Sequence, residues 1–255
     1  MKTNTLKLLT TLYNPSPHAV LTLRQGQIHM FLPELSVAGL RSALYRLIDK
    51  GLVSNLNLEE GQEYYLTRNG TELVRNSFPA LNLVTESWQG KWLQIVFISG
   101  PAHDSDFRNL RSILSQRGAQ QVTRGVYLLP DIGLDGLLKI CLEKYQESIQ
   151  IQRIEEWLIG GDKRWVIELF DLESLASAYS GISKEIDRLL ARAKRLERLT
   201  EREKKQFSMV FNRFWEVLGV DCGIADSFIV ASPHPISLLS KLQHLAQLGL
   251  PQEEF

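Results

Sequence analysis

The chain has little cysteine. Its two thiols, Cys141 and Cys222 in 255 residues, build no disulfide framework and stand at no metal-ligand spacing from a His. Both read as thiols without a role. Net charge is also missing, because 29 Lys and Arg offset 29 Asp and Glu, so charge balance alone names no partner. No apolar run approaches the roughly 20 residues that a membrane helix needs, and no basic-then-apolar segment ending in small residues opens the sequence. A cytoplasmic protein with no membrane partner is expected. No Gly-rich phosphate loop or nucleophile elbow appears. His18, His29, His103, His234 and His244 are scattered, each read as a surface or capping residue rather than a ligand. No cofactor, metal or catalytic constellation is expected, and the chain is read as not an enzyme. What is present is an ordinary hydrophobic fraction of 44% over a length sufficient for two or three globular domains, which excludes disorder and purely fibrous architectures.

The most informative stretch runs from Ser36 to Gly51. At helical spacing Val37, Leu40, Leu44, Leu47 and Ile48 share one arc, expected to face a small core. The opposite arc carries Ala38, Gly39, Ser42, Arg46 and Asp49, flanked by Arg41 and Tyr45. Lys50 suits the negative end of the helix dipole, and Gly51 stands where a positive-φ stop belongs. Alternating residues from Leu52 to Leu56, turn chemistry at Glu59-Glu60-Gly61-Gln62 and a return strand at Tyr64 to Leu66 predict a hairpin. Thr67 caps a short helix from Arg68 to Arg75. Upstream, Leu6, Leu8, Leu9 and Leu12 define a first helix that Pro15 and Pro17 break, and a second helix is expected between His18 and Leu35. A helix feeding a β-hairpin is the order of a winged helix-turn-helix. Residues 1 to 75 hold eight basic residues against six acids, only a mild excess.

A second domain opens at Trp88-Gln89-Gly90-Lys91-Trp92 with an apolar strand, Leu93 to Ile98. A helix from Asp106 to Arg117 follows, then short strands at Gln120 to Thr123 and Gly125 to Leu129, a helix from Leu134 to Tyr145 and a closing strand from Ile149 to Ile154. The order β-α-β-β-α-β is ferredoxin-like. The remainder is helical. Trp165 to Phe170 leads into Leu172 to Leu190, with a run-on through Arg192 to Arg198. A capping box at Thr200 and Glu203 starts a fresh helix at 201, and a last helix spans Ile236 to Leu248. The fold class is therefore α+β: a winged helix-turn-helix over residues 1–80, a ferredoxin-like domain over 86–165 and a helical domain over 166–255. Between Lys184 and Lys205 nine basic residues face five acids. This stretch reads as a solvated helix side, with phosphate contact or a coenzyme A-type ligand's phosphates as the alternatives.

Together, Val37 to Gly51 with Tyr64-Tyr65-Leu66-Thr67-Arg68-Asn69-Gly70, Trp88 and Trp92 around Gly90, Phe107-Arg108-Asn109-Leu110-Arg111, and Gly125-Val126-Tyr127-Leu128-Leu129-Pro130 resemble the PaaX-like family of bacterial transcription regulators over about residues 1 to 180. The resemblance implies a homodimer, a winged helix that binds operator DNA, a central domain similar to that of the CRISPR adaptation nuclease, and repression relieved by an aryl-coenzyme A thioester. The last third departs from the family pattern, with Ser232-Pro233-His234-Pro235 and no Trp after Trp215.

The expected function is a sequence-specific, dimeric DNA-binding repressor that responds to a small effector such as an acyl-CoA thioester. Its double-stranded DNA contacts are Ser36, Arg41, Ser42, Tyr45, Arg46, Lys50 and Arg68. Ser42 and Arg46 are the base readers, and Arg41, Tyr45 and Arg68 meet phosphate or the groove edge. Trp88, Trp92 and Arg111 are the candidate effector-lining residues, since aromatic and cationic groups suit an acyl or nucleotide ligand. The alternatives are a metal-dependent nuclease, whose carboxylates would have to come from Asp104 and Asp106, and a protein-binding adaptor of a mobile-element or defence operon.

Overall fold

A computed structural model describes residues 3–16, 19–58, 61–82, 88–98, 105–132, 135–196, 199–229 and 232–249. The protein is α+β, with two antiparallel sheets set among helices. By internal contacts the chain divides into two compact units, 1–75 with 179–216 and 233–255, and 76–178 with 217–232. The three consecutive domains expected from the sequence are thus redrawn. Most of the C-terminal helical residues belong with the N-terminal segment, because the apolar faces of those helices complete its core.

In the first unit, helix α1 (Thr3–Thr11) precedes a two-residue strand β1 (Leu23–Arg24), helix α2 (Gln25–Phe31) and helix α3 (Val37–Asp49). Strands β2 (Val53–Leu58) and β3 (Gly61–Leu66) then form an antiparallel hairpin, and helix α4 (Arg68–Ser77) follows. The sheet order is β1-β3-β2, with Leu23 opposite Tyr64. Strand β1 has no counterpart in the sequence reading. Two residues carry no period of their own, and only pairing with β3 makes them a strand. Leu40, Leu44 and Leu47 of α3 are buried as expected, whereas Val37 is 50% exposed. Val37 shares their arc but opens the helix, one turn before the core begins.

Long helices complete this unit. Helix α9 (Glu201–Leu218) lays Phe207 and Phe211 against Phe31 of α2, with both ring pairs edge-on at 4.8 Å and all three rings fully buried. Helix α11 (Pro235–Leu248) donates from the Gln243 side-chain amide to the carbonyls of Thr11 (3.0 Å), the last residue of α1, and of Tyr13 (2.8 Å), just past it. Helix α8 (Leu172–Leu196) reaches α9 through Arg192 and Glu203 (3.4 Å) and Glu185 and Arg213 (2.6 Å), and α11 through Asp187 and Lys241 (2.7 Å).

The second unit holds strands β4 (Trp92–Phe97), β5 (Gln120–Thr123), β6 (Val126–Pro130) and β7 (Ile149–Ile154), with helix α5 (Ser105–Gln116) between β4 and β5 and helix α6 (Asp135–Tyr145) between β6 and β7. The sheet order is β5-β6-β4-β7, antiparallel throughout. Leu93 and Ile95 of β4 share one core with Leu110 and Leu114 of α5 and Leu137 and Cys141 of α6, so both helices cover one face. Helix α7 (Lys163–Leu169), a one-turn helix α10 (Ala225–Phe228) and a short 3-10 helix (Pro79–Leu81) complete the elements among the described residues. Gly118, at φ 74°, lies against Cys222; an added Cβ there would stand 2.5 Å from the cysteine Cβ. Among the described residues no helix is long and apolar enough to cross a membrane.

Candidate nucleic-acid interface

Helix α3 is fixed at both ends by local chemistry. The Ser36 hydroxyl accepts from the Gly39 amide (3.1 Å), satisfying an amide that the first turn leaves without a helical partner. Lys50 closes the helix, and Gly51 turns the chain at φ 65°. Ser36 and Lys50 are both exposed, but the Ser36 side chain is committed to the cap, so its share in any external contact is secondary to that role.

Two side chains of α2 set the angle at which α3 leaves the turn. The His29 imidazole is hydrogen-bonded to the Leu35 carbonyl (2.8 Å), which makes it the donor, and Gln25 donates to the Val37 carbonyl (3.2 Å). Sequence reading treated His29 as one of five scattered histidines and gave Gln25 no role, because the carbonyls they meet lie six and twelve residues away. Tyr64 of β3 closes the other side, 4% exposed, its hydroxyl donating to Gln62 (2.7 Å). Burial and the neighbouring Tyr45 push the Tyr64 hydroxyl above its ordinary pKa, and Arg41 pulls it back. Arg41 and Tyr45 are therefore within electrostatic reach of the Tyr64 hydroxyl.

The outward face of α3 carries Arg41, Ser42, Tyr45 and Arg46, all exposed, with Tyr45 at 66%. At 100° per residue they occupy one arc roughly 140° wide, shared with Ala38 and Asp49. Among the described residues neither arginine has a carboxylate partner. Arg68, at the start of α4, is also exposed but pairs with Glu72 (3.0 Å), one turn on. The described hairpin beside α3 has no Lys or Arg: Glu63 pairs with Arg24 (3.5 Å), Asn57 and Gln62 are exposed, and Leu56 and Leu58 are 43% and 49% exposed. The hairpin tip, 59–60, lies outside the described residues.

Of the three residues expected to line an effector site, Trp88 and Trp92 are brought together and Arg111 is not. Trp92 is buried, edge-on to Trp88 (4.7 Å) and stacked on Phe170 (5.4 Å), and Trp88 also meets Phe228 (5.3 Å). These rings form an aromatic core on the sheet face opposite Leu93 and Ile95. Arg111 belongs to α5, which covers the Leu93 face. An open groove of about 620 Å³ lies elsewhere in this unit, lined by Lys163, Arg164, Ile167, Glu168, Asp171 and Glu173, with Arg164 and Glu168 paired at 2.9 Å. Burial pushes the Cys222 and Cys141 thiols up, which fits the inert reading of both. Asp104 and the side chain of Asp106, on which a nuclease would depend, lie outside the described residues. Among the described residues no three His, Cys, Asp or Glu side chains form a metal-sized group.

No family model matches the chain, and no curated protein does. The fold has a solved counterpart. It is similar to the uncharacterized protein Rv0674 from Mycobacterium tuberculosis, with a TM-score of 0.55 at 16% identity, over 94% of this chain and 92% of that one. At that identity the likeness speaks for the fold alone.

Proposed function

We propose that the protein is a sequence-specific DNA-binding transcriptional regulator of the PaaX-like kind, acting as a dimeric repressor and not as an enzyme. The observation that carries the reading is the outward face of α3. Two arginines with no carboxylate partner among the described residues, a serine and a tyrosine are presented on a helix whose start is capped by Ser36 and whose approach is held by His29 and Gln25. The order of α2, α3 and the β2–β3 hairpin fits a winged helix-turn-helix, and the β5-β6-β4-β7 order with both helices on one face fits a ferredoxin-like unit.

In this reading α3 enters the major groove. Arg46 and Ser42 address base edges, while Arg41 and Tyr45 meet the backbone. Arg68 contributes less, because Glu72 neutralises it. The hairpin carries no Lys or Arg and so neutralises no phosphate. A two-fold dimer would read two half-sites about one helical turn, or a multiple of it, apart, and a small effector, for which an acyl-CoA thioester remains the working candidate, would modulate binding.

The test is binding to the duplex upstream of the protein's own gene against a scrambled duplex. Arg46→Ala is expected to weaken specific binding by about 1–3 kcal/mol while leaving binding to the scrambled duplex nearly unchanged. An unaltered preference in Arg46→Ala removes Arg46 from the reading set, and equal affinity of the wild type for both duplexes removes the regulator reading. The exposed Leu56 and Leu58 favour one second reading, a protein-binding adaptor. It predicts no linear fall of log affinity with log salt on duplex DNA, whereas phosphate neutralisation demands one.

A further inference from the structure

The most cationic stretch of this neutral chain lies outside the α3 face, on α8 and α9. Ile182, Ile186, Leu189 and Ala193 of α8 are buried, and they fix which side of the helix faces in. Lys184, Arg188 and Arg195 fall on the opposite side, within an arc of roughly 40° at 100° per residue. All three are exposed. Arg202 and Lys205, at the start of α9, are exposed as well.

The described acids around them are engaged elsewhere. Every described carboxylate of this stretch is engaged by another cation: Glu185 by Arg213, Asp187 by Lys241, Glu201 by Lys204 and Glu203 by Arg192. Lys184, Arg188, Lys194, Arg195, Arg202 and Lys205 are left with no carboxylate among the described residues. Like charges along one helix face repel, so this arrangement is best matched by an external polyanion.

Shape selects which one. The stripe is the convex outer side of a long helix, and a small phosphorylated ligand is held in a concave site instead. Eleven residues separate Lys184 from Arg195, about 16 Å at 1.5 Å per residue, close to five 3.4 Å steps of one DNA strand. We infer that the Lys184–Arg188–Arg195 stripe is a second duplex-DNA contact, one that binds phosphates without reading sequence. Stripe and α3 belong to the same compact unit, and the inference rests on the DNA-binding reading above.

The experiment measures affinity for the upstream duplex as a function of salt for wild type, for K184Q/R188Q/R195Q, for Arg46→Ala, and for the exposed control triple R108Q/K144Q/K163Q, which removes the same charge elsewhere. With three phosphate contacts neutralised in each protomer, the slope of log affinity against log salt falls by about 2.7 for each protomer that engages the duplex. From 50 to 200 mM salt the wild type then loses about 40-fold more affinity than the stripe variant for each engaged protomer. The stripe variant should keep its preference for the upstream over the scrambled duplex, and the control should keep the wild-type slope. A wild-type slope in the stripe variant, or an equally flattened slope in the control, overturns the stripe and leaves the α3 reading in place. A flattened stripe slope with specificity intact in Arg46→Ala removes Arg46 and keeps the stripe. No salt-dependent duplex binding by the wild type overturns both.

Discussion

Gly70 shows how one residue ties the hairpin to the helix after it. A Cβ at this position would lie 2.0 Å from the carbonyl oxygen of Leu52, the same oxygen that accepts from the Thr67 amide at 3.1 Å. Thr67 faces both ways: its hydroxyl donates to the Gly51 carbonyl (2.6 Å) and accepts from the Gly70 amide (3.2 Å). The Leu66-Thr67-Arg68-Asn69-Gly70 run is therefore a joint between the end of α3, strand β3 and α4. Its glycine is required by close backbone approach, for helical Gly70 has no positive φ. Gly70→Ala must push a backbone carbonyl aside and is expected to destabilise the protein by about 1–3 kcal/mol, in the range of overpacking substitutions. A denaturant midpoint unchanged in Gly70→Ala would show that the joint is slack. Much of this scale was legible beforehand, including the Gly51 stop and the Thr67 cap, because each acts within a few residues, whereas Ser36 reads from sequence as a DNA contact and not as the cap it forms. The reason for Gly70 was not, since its neighbour is eighteen positions away.

At the scale of elements, the α8–α9 joint follows from a four-residue pattern. The Glu203 carboxylate accepts from the Thr200 amide (3.0 Å) and hydroxyl (2.8 Å) and sits 3.4 Å from the Arg192 guanidinium, while the Glu203 amide approaches the Thr200 hydroxyl (3.4 Å). Hydrogen bonds from the Thr200 backbone and side chain, then Arg192, hold the Glu203 carboxyl below its usual pKa. The unfolded chain takes up this proton more readily than the folded one. The contribution is therefore whole above the ordinary Glu value near 4.3 and fades as pH falls through the lowered folded value. Thr200→Ala is expected to cost about 0.5–2 kcal/mol at neutral pH and to lessen the acid-dependent loss. Denaturant unfolding at neutral and acid pH checks this, and an undiminished acid loss in Thr200→Ala would place the sensitivity elsewhere. The sequence supports element positions wherever a cap or an apolar period was local. It missed β1 and the one-turn α10, which have too few residues to show a period, and it placed Val37 in a core that starts one turn later.

At the scale of the whole molecule, the reading of residues 1–80 as a self-contained domain does not match how the chain is packed. Helical periodicity marks Phe207 and Phe211 as an apolar face, but nothing local says that Phe31 is what they cover. Both rings stand edge-on to it at 4.8 Å. Helix α2, which aims α3 through His29 and Gln25, is thus held from behind by a helix more than 170 residues away in sequence. Phe207→Ala leaves a cavity under α2 and is expected to cost about 3–5 kcal/mol, part of it from the lost edge-on ring pairs. Because α2, α3 and α9 share one unit, hydrogen exchange should show the amides of α3 losing protection together with those of α9, and affinity for duplex DNA should fall although Phe207 lies off the α3 face. Loss of protection in α9 with α3 left at its wild-type level would mean that residues 1–75 fold by themselves and that the long helices merely rest against them. A joint loss would make the C-terminal helices part of the frame that presents Arg41 and Arg46.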